Sequence, residues 1–297
     1  MDSTVATSYR VSRGIARARA RNFYFGIWLL PRERRDALCA IYAFMRHADD
    51  VADGDAVVAD KMARLREWRA DLDRALAGDC AGNPILPAFH HAATRYRIPP
   101  EYFHELLAGA EMDLTVHAYA TFDDLYQYCY RVASVVGLCS LQVFGFSDPA
   151  AKNLAERCGV AFQLTNILRD LREDAATGRT YLPEEDLRKF GLTPASVASS
   201  AADSAFVNLV HFEAQRAREF YEQSRPLIGM VHKESRPALW TMISIYWNLL
   251  ETIDRNPAAV LRGRVSLPTM DKAMLAARGA GMRIKLRLGM SEGGKRD

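Results

Sequence analysis

Apolar residues recur at α-helical spacing almost from end to end of this 297-residue chain, and that pattern constrains the fold more than any other feature. Alternating β-branched runs and Asn-Gly or Asp-Gly hairpin turns are scarce, so there is little from which to build a sheet. The expected fold class is all-α. Helices are expected over 33–52, 57–77, 100–112, 122–145, 149–174, 203–225, 235–255 and 269–279. Pro31, Pro99, Pro100, Pro149, Pro183, Pro194, Pro257 and Pro268 fall between or at the starts of helices, where proline starts or stops a helix without breaking its interior. No Gly/Ser/Pro-rich linker divides the chain and no solenoid period repeats. A single helical domain is therefore expected over 21–280, with a basic segment, 1–20, before it and a basic tail of disordered composition, 281–297, after it.

Composition closes off several function classes. The 39 Lys and Arg stand against 36 Asp and Glu, a formal net charge of +3, too balanced for nucleic-acid binding by bulk electrostatics. Cys39, Cys80, Cys129, Cys139 and Cys158 contain no Cys-x-x-Cys pair, so neither a disulfide framework nor a zinc site is expected, and a reducing cytoplasm fits best. The basic N-terminus lacks the apolar core of a secretory signal. No run reaches the roughly 18–20 apolar residues of a membrane span. The nearest, Val132 to Phe146, is interrupted by Ser134, Ser140 and Gln142 and is expected as a fully buried helix. The C-terminal RIKLRLGMSEGGKRD has the charge of a surface that touches anionic lipid, which makes peripheral membrane contact an expectation to test.

The chemistry sits at two helix ends. In DALCAIYAFMRHADDVADG, Tyr42, Arg46, Asp49 and Asp53 stand at i, i+4, i+7 and i+11, within about 60° around an ideal helix, with Asp50 on the stripe's edge at about 80° from Tyr42. Carboxylates at a helix C-terminus oppose the macrodipole at roughly 0.3–1 kcal/mol each, so a cation is expected to offset them. In CGVAFQLTNILRDLREDAATGR, Gln163, Asn166, Asp170 and Asp174 repeat the stripe within about 80°. Gln and Asn in so apolar a segment need hydrogen bonds, which favours a polar cavity over packed core. Two Asp-x-x-x-Asp pairs on facing helices supply oxygen ligands for hard cations, with magnesium the expected ion. Without a cation the four carboxylates repel and their pKa values rise. Arg46, Arg169 and Arg172 are of the type that binds phosphate, although the last two also suit an ordinary surface.

These residues resemble the squalene/phytoene synthase family of head-to-head prenyl transferases. The likeness runs from about Tyr9 to Arg264 and rests on NFYFGIWLLPRERRDALCAIYAFMRHADDVAD, YCYRVASVVGL, FQLTNILRDLREDAATGRTYLP and IYWNLLETIDRN…RGRVSLP. It implies an isoprenoid-synthase helical fold around a central cavity, magnesium dependence and two prenyl diphosphate substrates. By the resemblance, Asp49, Asp53, Asp170 and Asp174 bind diphosphate through magnesium, and Tyr42, Arg46, Gln163, Asn166 and Arg169 surround it. Tyr128 matches a tyrosine near the reacting centre, while Tyr181, Tyr246 and Arg264 match more distant site positions. Asn22 replaces a serine common in relatives and retains the capacity to bind a phosphate oxygen.

The implied reaction ionises one allylic diphosphate, captures the cation on the other substrate's alkene and closes a cyclopropyl diphosphate on proton loss. Phe23, Phe25, Ile27, Val132, Ala133, Val136, Gly137, Leu138, Phe162 and Leu164 are the expected apolar wall, with the small members leaving room for long chains. The resemblance leans toward two C15 farnesyl diphosphates and a presqualene or squalene product, with C20 substrates and phytoene as the alternative. NADPH is needed only if squalene is the product, and no G-x-G-x-x-G supports a Rossmann nicotinamide site. A non-catalytic helical assembly factor would be marked by loss of the aspartates, all of which are present. Nothing in the sequence fixes an oligomeric state.

Overall fold

A computed structural model describes residues 2–80, 82–198 and 202–288. The chain begins with α1 (Ser3–Arg19), α2 (Arg21–Trp28), α3 (Arg32–Asp53), α4 (Val58–Leu76), α5 (Leu86–Arg95) and α6 (Pro100–Thr115). Then come α7 (Phe122–Cys129), a π-helical stretch (Tyr130–Ser134), α8 (Val135–Phe144) and α9 (Ala151–Ala176). The short α10 (Glu184–Lys189) and α11 (Pro194–Ala198) lead to α12 (Ser204–Ser224), α13 (Leu227–Met230) and α14 (Arg236–Arg255). A 3-10 turn (Pro257–Leu261) and α15 (Thr269–Arg287) complete it. Among the described residues there are no strands, only isolated bridges such as Ala118 with Thr180. The all-α expectation holds.

Local chemistry explains the main boundaries. Pro31 in an extended conformation starts α3, and Thr121 and Asp124 form a reciprocal capping box at α7, satisfying N–H groups that a helix start leaves unpaired. The Asp203 carboxylate accepts from the Phe206 N–H at 2.8 Å at the start of α12. Arg21, with φ of +37°, turns the chain between α1 and α2, a left-handed conformation that costs energy for a residue with a Cβ. The helix expected over 122–145 is interrupted by the π-helical stretch, and α6 continues past 112 to Thr115. The segment 1–20 is largely α1, packed on α3 and α5. The tail expected from 281 starts inside α15, and its last residues, 289–297, lie outside the described residues.

The buried residues from Tyr9 to Leu267 form one contiguous core. Phe44 of α3 stacks on Phe89 at 4.3 Å and on Trp68 at 5.1 Å, anchoring the helix that carries the first aspartates. α8 packs against both α3 and α9, and α9 also meets α12, α14 and the π-helical stretch. That last contact is close: a Cβ on Gly159 would lie 2.7 Å from Ser134 N. All five cysteines are free, and no described helix is long and apolar enough to cross a membrane.

Candidate active site

A cavity of about 420 Å³ lies between α3 and α9, walled also by α2, α6, α8 and α14. Asp49 and Asp53 from α3 and Asp170 and Asp174 from α9 line it, together with Tyr42, Gln163, Asn166, Arg169, Tyr128 and Tyr181. The two stripes therefore face one space. Burial pushes the Asp49 carboxyl up to about 7, with Asp53, Asp113 and Asp50 adding repulsion against the pull of Arg46. Burial, then Asp170, raises Asp174 to about 7 despite Arg179. Asp49 has accessible surface, but it opens on cavity space within protein walls.

Arg169 is buried and donates from Nε to Asp170 Oδ1 at 2.7 Å and from its terminal nitrogen to Oδ2. Arg264 adds an ion pair to Asp170 at 3.3 Å and reaches Glu173 at 3.5 Å. Asn166 donates to Gln163 Oε1 at 3.2 Å, while its own Oδ1 is buried without a protein partner. Such an oxygen is costly unless something donates to it or coordinates it.

Four expected site residues do not line the cavity. Asn22 is half-buried on α2, just before the lining residue Phe23. Arg46 is held by Asp50, which also pairs with Arg19 at 2.7 Å. Asp50 thus serves as Arg46's anchor. Burial works to raise the Asp50 carboxyl, but hydrogen bonds and charge from both arginines leave it below the usual range. Tyr246 is buried behind the wall, stacked on Phe162 at 4.3 Å and 7° and close enough to Arg169 to feel its charge. Arg264 acts through Asp170, as above. Arg172 turns outward to the Arg262 carbonyl.

The apolar wall is partly redrawn. Phe23, Ile27, Val132, Ala133, Val136, Gly137 and Phe162 line the cavity, whereas Phe25, Leu138 and Leu164 do not. Leu138 and Leu164 each follow a lining residue, and one step turns a helical side chain by about 100° into the core. A Cβ on Gly137 would meet the Ala155 carbonyl at 3.0 Å, so its smallness serves helix approach as well as cavity space.

Two charged cavity residues were not foreseen, Asp113 and Arg179. Asp113 Oδ1 accepts from the Tyr128 hydroxyl at 2.8 Å and from the Tyr181 hydroxyl at 2.9 Å. Burial raises the Asp113 carboxyl, against the lowering effect of those two bonds, and burial and Asp113 raise the Tyr128 phenol. Both tyrosines keep their protons as donors to Asp113, and both residues line the cavity. The loop carrying Arg179 and Tyr181 is pinned by Thr180 N–H to His117 O at 3.2 Å and Glu184 N–H to Tyr119 O at 2.8 Å. A usable signal existed for Asp113: Leu106, Ala110 and Asp113 follow i, i+4, i+7, a pattern that ending the helix at 112 cut short.

Comparisons with known proteins agree with this geometry. The squalene/phytoene synthase family model matches residues 16–271. A phytoene synthase of Mycobacterium tuberculosis is 39% identical over 276 residues, 92% of this chain and 90% of that one. A phytoene synthase of Arthrospira platensis is 36% identical over 288 residues, 92% of each chain. Among solved structures, a dehydrosqualene synthase in complex with ligand superposes with a TM-score of 0.86 at 27% identity, covering 96% of this chain and 98% of that one. The squalene synthase HpnC from Alicyclobacillus acidocaldarius gives 0.80 at 28% identity, covering 89% and 98%.

Proposed function

The chain belongs to the squalene/phytoene synthase family of head-to-head prenyltransferases, and on that premise we propose that it condenses two C20 prenyl diphosphates to a phytoene-type product. The observation that carries the reaction class is the pair of aspartate stripes facing each other across one end of an apolar cavity. The chain length is supported by relatives at 36% and 39% identity that bear the name phytoene synthase, which favours C20 over the C15 substrates suggested by the sequence. The C15 reading keeps support from the dehydrosqualene synthase likeness.

The donor set suits magnesium. Asp49, Asp53, Asp170 and Asp174 offer hard oxygen ligands, and Asn166, whose buried Oδ1 has no protein partner, lines the same space. No group of three His, Cys, Asp or Glu able to hold a metal occurs among the described residues, in keeping with an ion that relies on waters and substrate phosphates. Bound magnesium would supply Lewis-acid stabilisation of the departing diphosphate.

The chain's own groups do the rest. Arg169, pre-oriented by Asp170, and Arg179 place positive charge beside the leaving group, where a fixed cation stabilises developing negative charge without reorganisation. Phe23 and Phe162, backed by Tyr246 at 5.2 Å and 4.3 Å, keep water from the chain and offer ring faces to a cation. With Asp113 ionised, the Tyr128 oxygen can take the proton lost when the ring closes as its own hydroxyl proton passes to Asp113 Oδ1, 2.8 Å away, which leaves a neutral phenol and a protonated carboxyl. Tyr181 donates to the same oxygen at 2.9 Å and holds it in place.

Purified protein incubated with magnesium and either C20 or C15 prenyl diphosphate, with and without NADPH, should consume the C20 substrate into a phytoene-type hydrocarbon without NADPH. Consumption of the C15 substrate alone would reverse the chain-length reading, and failure with both would overturn the proposal. Asp49→Ala and Asp170→Ala should each abolish turnover while circular dichroism stays native. Near-normal rates in either refute the metal role.

A further inference from the structure

The aspartates stand at one end of the cavity, and Leu38, well before Asp49 on α3, lines it at the other, about 16 Å away along the helix axis. The chain from α7 to α8 spans the same depth. Tyr128, bonded to Asp113, marks the carboxylate end, and Gly137 is level with the start of α9, where a Cβ would meet the Ala155 carbonyl at 3.0 Å. Phe144, the last residue of α8, lies about two turns deeper still.

Just outside that far end, three helix termini are tied together. Arg34, at the start of α3, donates from Nη1 to the Phe144 carbonyl at 2.7 Å and to Ser235 Oγ at 2.7 Å, and from Nη2 to His232 Nδ1 at 3.1 Å. Ser235, buried at the start of α14, donates in turn to the Phe144 carbonyl at 2.9 Å. That carbonyl ends α8 and has no acceptor role left within its own helix, and a cation beside it is also favoured by the helix dipole. Gly145, with φ of +73°, lets the chain leave α8 beneath the His232 ring, where a Cβ would lie 2.5 Å from Nδ1. The His232 N–H completes the tie by donating to the Gly145 carbonyl at 2.8 Å. Leu38 and Leu239 follow Arg34 and Ser235 at i+4, one turn inward on the same helix faces. Both line the cavity, as Phe144 does.

The geometry points to Phe144 as the residue against which the tail of a bound prenyl chain stops, and to Arg34, outside the cavity, as the positioning residue that fixes the depth of that stop. A hydrocarbon tail offers no hydrogen bond by which its length can be recognised, so discrimination rests on where the space ends. A steric stop is only as sharp as its support is rigid. The Phe144 backbone cannot retreat without breaking a charge-assisted bond to Arg34 and a second bond to Ser235, and its ring is the one aromatic group among Leu38, Leu141, Leu227 and Leu239. The inference rests on reading the cavity as a prenyl diphosphate site, and it holds whichever chain length that site takes.

Binding of unreactive thio-analogues tests it: C10, C15, C20 and C25 prenyl chains on a diphosphate whose bridging oxygen is replaced by sulfur, titrated with magnesium into the full chain. In the wild type each added isoprene unit should tighten binding at least about tenfold up to C20, and C25 should bind at least about tenfold more weakly than C20. Phe144→Ala should bind C25 at least about tenfold more tightly than the wild type does, and Phe144→Trp should lose at least about tenfold on C20 relative to C15. Arg34→Ala should raise the ratio of C25 to C10 affinity, and Arg34→Lys, which returns a donor to the Phe144 carbonyl, should restore part of the limit. A merely structural role for Arg34 would move the thermal midpoint and leave that ratio alone. A length limit unmoved in both Phe144 variants, or a folded Arg34→Ala with the wild-type ratio, overturns the inference while the proposed function stands. A limit at C15 that Phe144→Ala extends to C20 upholds the stop and reverses the C20 reading. Absence of binding at every length overturns both.

Discussion

Glu213 of α12 is 1% exposed and shares Arg216 with Asp186, the Arg216 Nη1 lying 2.8 Å from Glu213 and 2.7 Å from Asp186. Arg216 also lies over the ring of Phe122 at 4.2 Å, so one guanidinium ties α12 to α10 and α7. Two carboxylates face one cation, and Glu213 Oε1 has no partner. Burial pushes the Glu213 carboxyl up to about 8, with Arg216 lowering it and Asp186 raising it. A carboxyl raised on folding contributes stability that is fully present below its unfolded pKa and lost as pH rises through the folded one. Glu213 therefore stabilises the fold below about pH 4.5, and that contribution disappears by about pH 8. Glu213→Gln, which keeps a donor toward Asp186 at every pH, should raise stability at pH 9 by about 2 kcal/mol and flatten the decline between. Urea unfolding at several pH values measures this, and an unchanged slope in the variant would reject it. At this scale legibility followed repetition: the paired aspartates announced themselves by spacing, whereas Asp113 and Glu213 are single carboxylates whose partners come from distant segments.

Among elements, the long amphipathic helices were readable because burial on one face imposes a period, and α3, α4, α12 and α14 fall close to their expected ranges. The π-helical stretch was not, since Tyr130–Ser134 sits inside one long helical pattern where one extra residue in a turn leaves no mark on hydropathy. Its reason is in the packing. Gly159 of α9 leaves room for the Ser134 backbone, and Ser134 Oγ donates to the Glu156 carbonyl at 2.8 Å. Gly109 of α6 likewise leaves room for Val132. Because Tyr128 lies two residues before the stretch and Val132 and Ala133 lie within it, this contact sets how the cavity wall faces the aspartates. Gly159→Ala places a Cβ against backbone that cannot rotate away, so it should destabilise by about 1–3 kcal/mol despite alanine's better helix propensity. Thermal denaturation against a Gly14→Ala control, whose Cβ meets nothing within 4 Å, isolates the packing term. Equal midpoints in the two variants would show that the close approach does not matter.

For the whole molecule, the decisive arrangement is that α3 and α9, separated in sequence, each pack on α8 and present their carboxylates to one cavity. Sequence showed both stripes and, through resemblance, their facing. It did not show which cations hold them: Asp170 by Arg169 and Arg264, Asp50 by Arg46 and Arg19. The raised carboxyls of Asp49 and Asp174 mean that the bare site works against itself, and neither ligand alone relieves this well. Magnesium lacks a protein-only cage of three such ligands among the described residues, and diphosphate alone adds negative charge to a carboxylate-lined space. Under the proposed function, the two bound together would neutralise each other across both helices. Magnesium plus inorganic diphosphate at about 100 times the dissociation constant should stabilise the fold by about 2.7 kcal/mol, or roughly 4 °C in thermal midpoint for a chain of this length. Each alone should shift the midpoint far less, and Asp170→Asn should remove most of the joint shift. A full shift with magnesium alone, or a joint shift that survives Asp170→Asn, would mean that the two aspartate stripes do not act as one clamp.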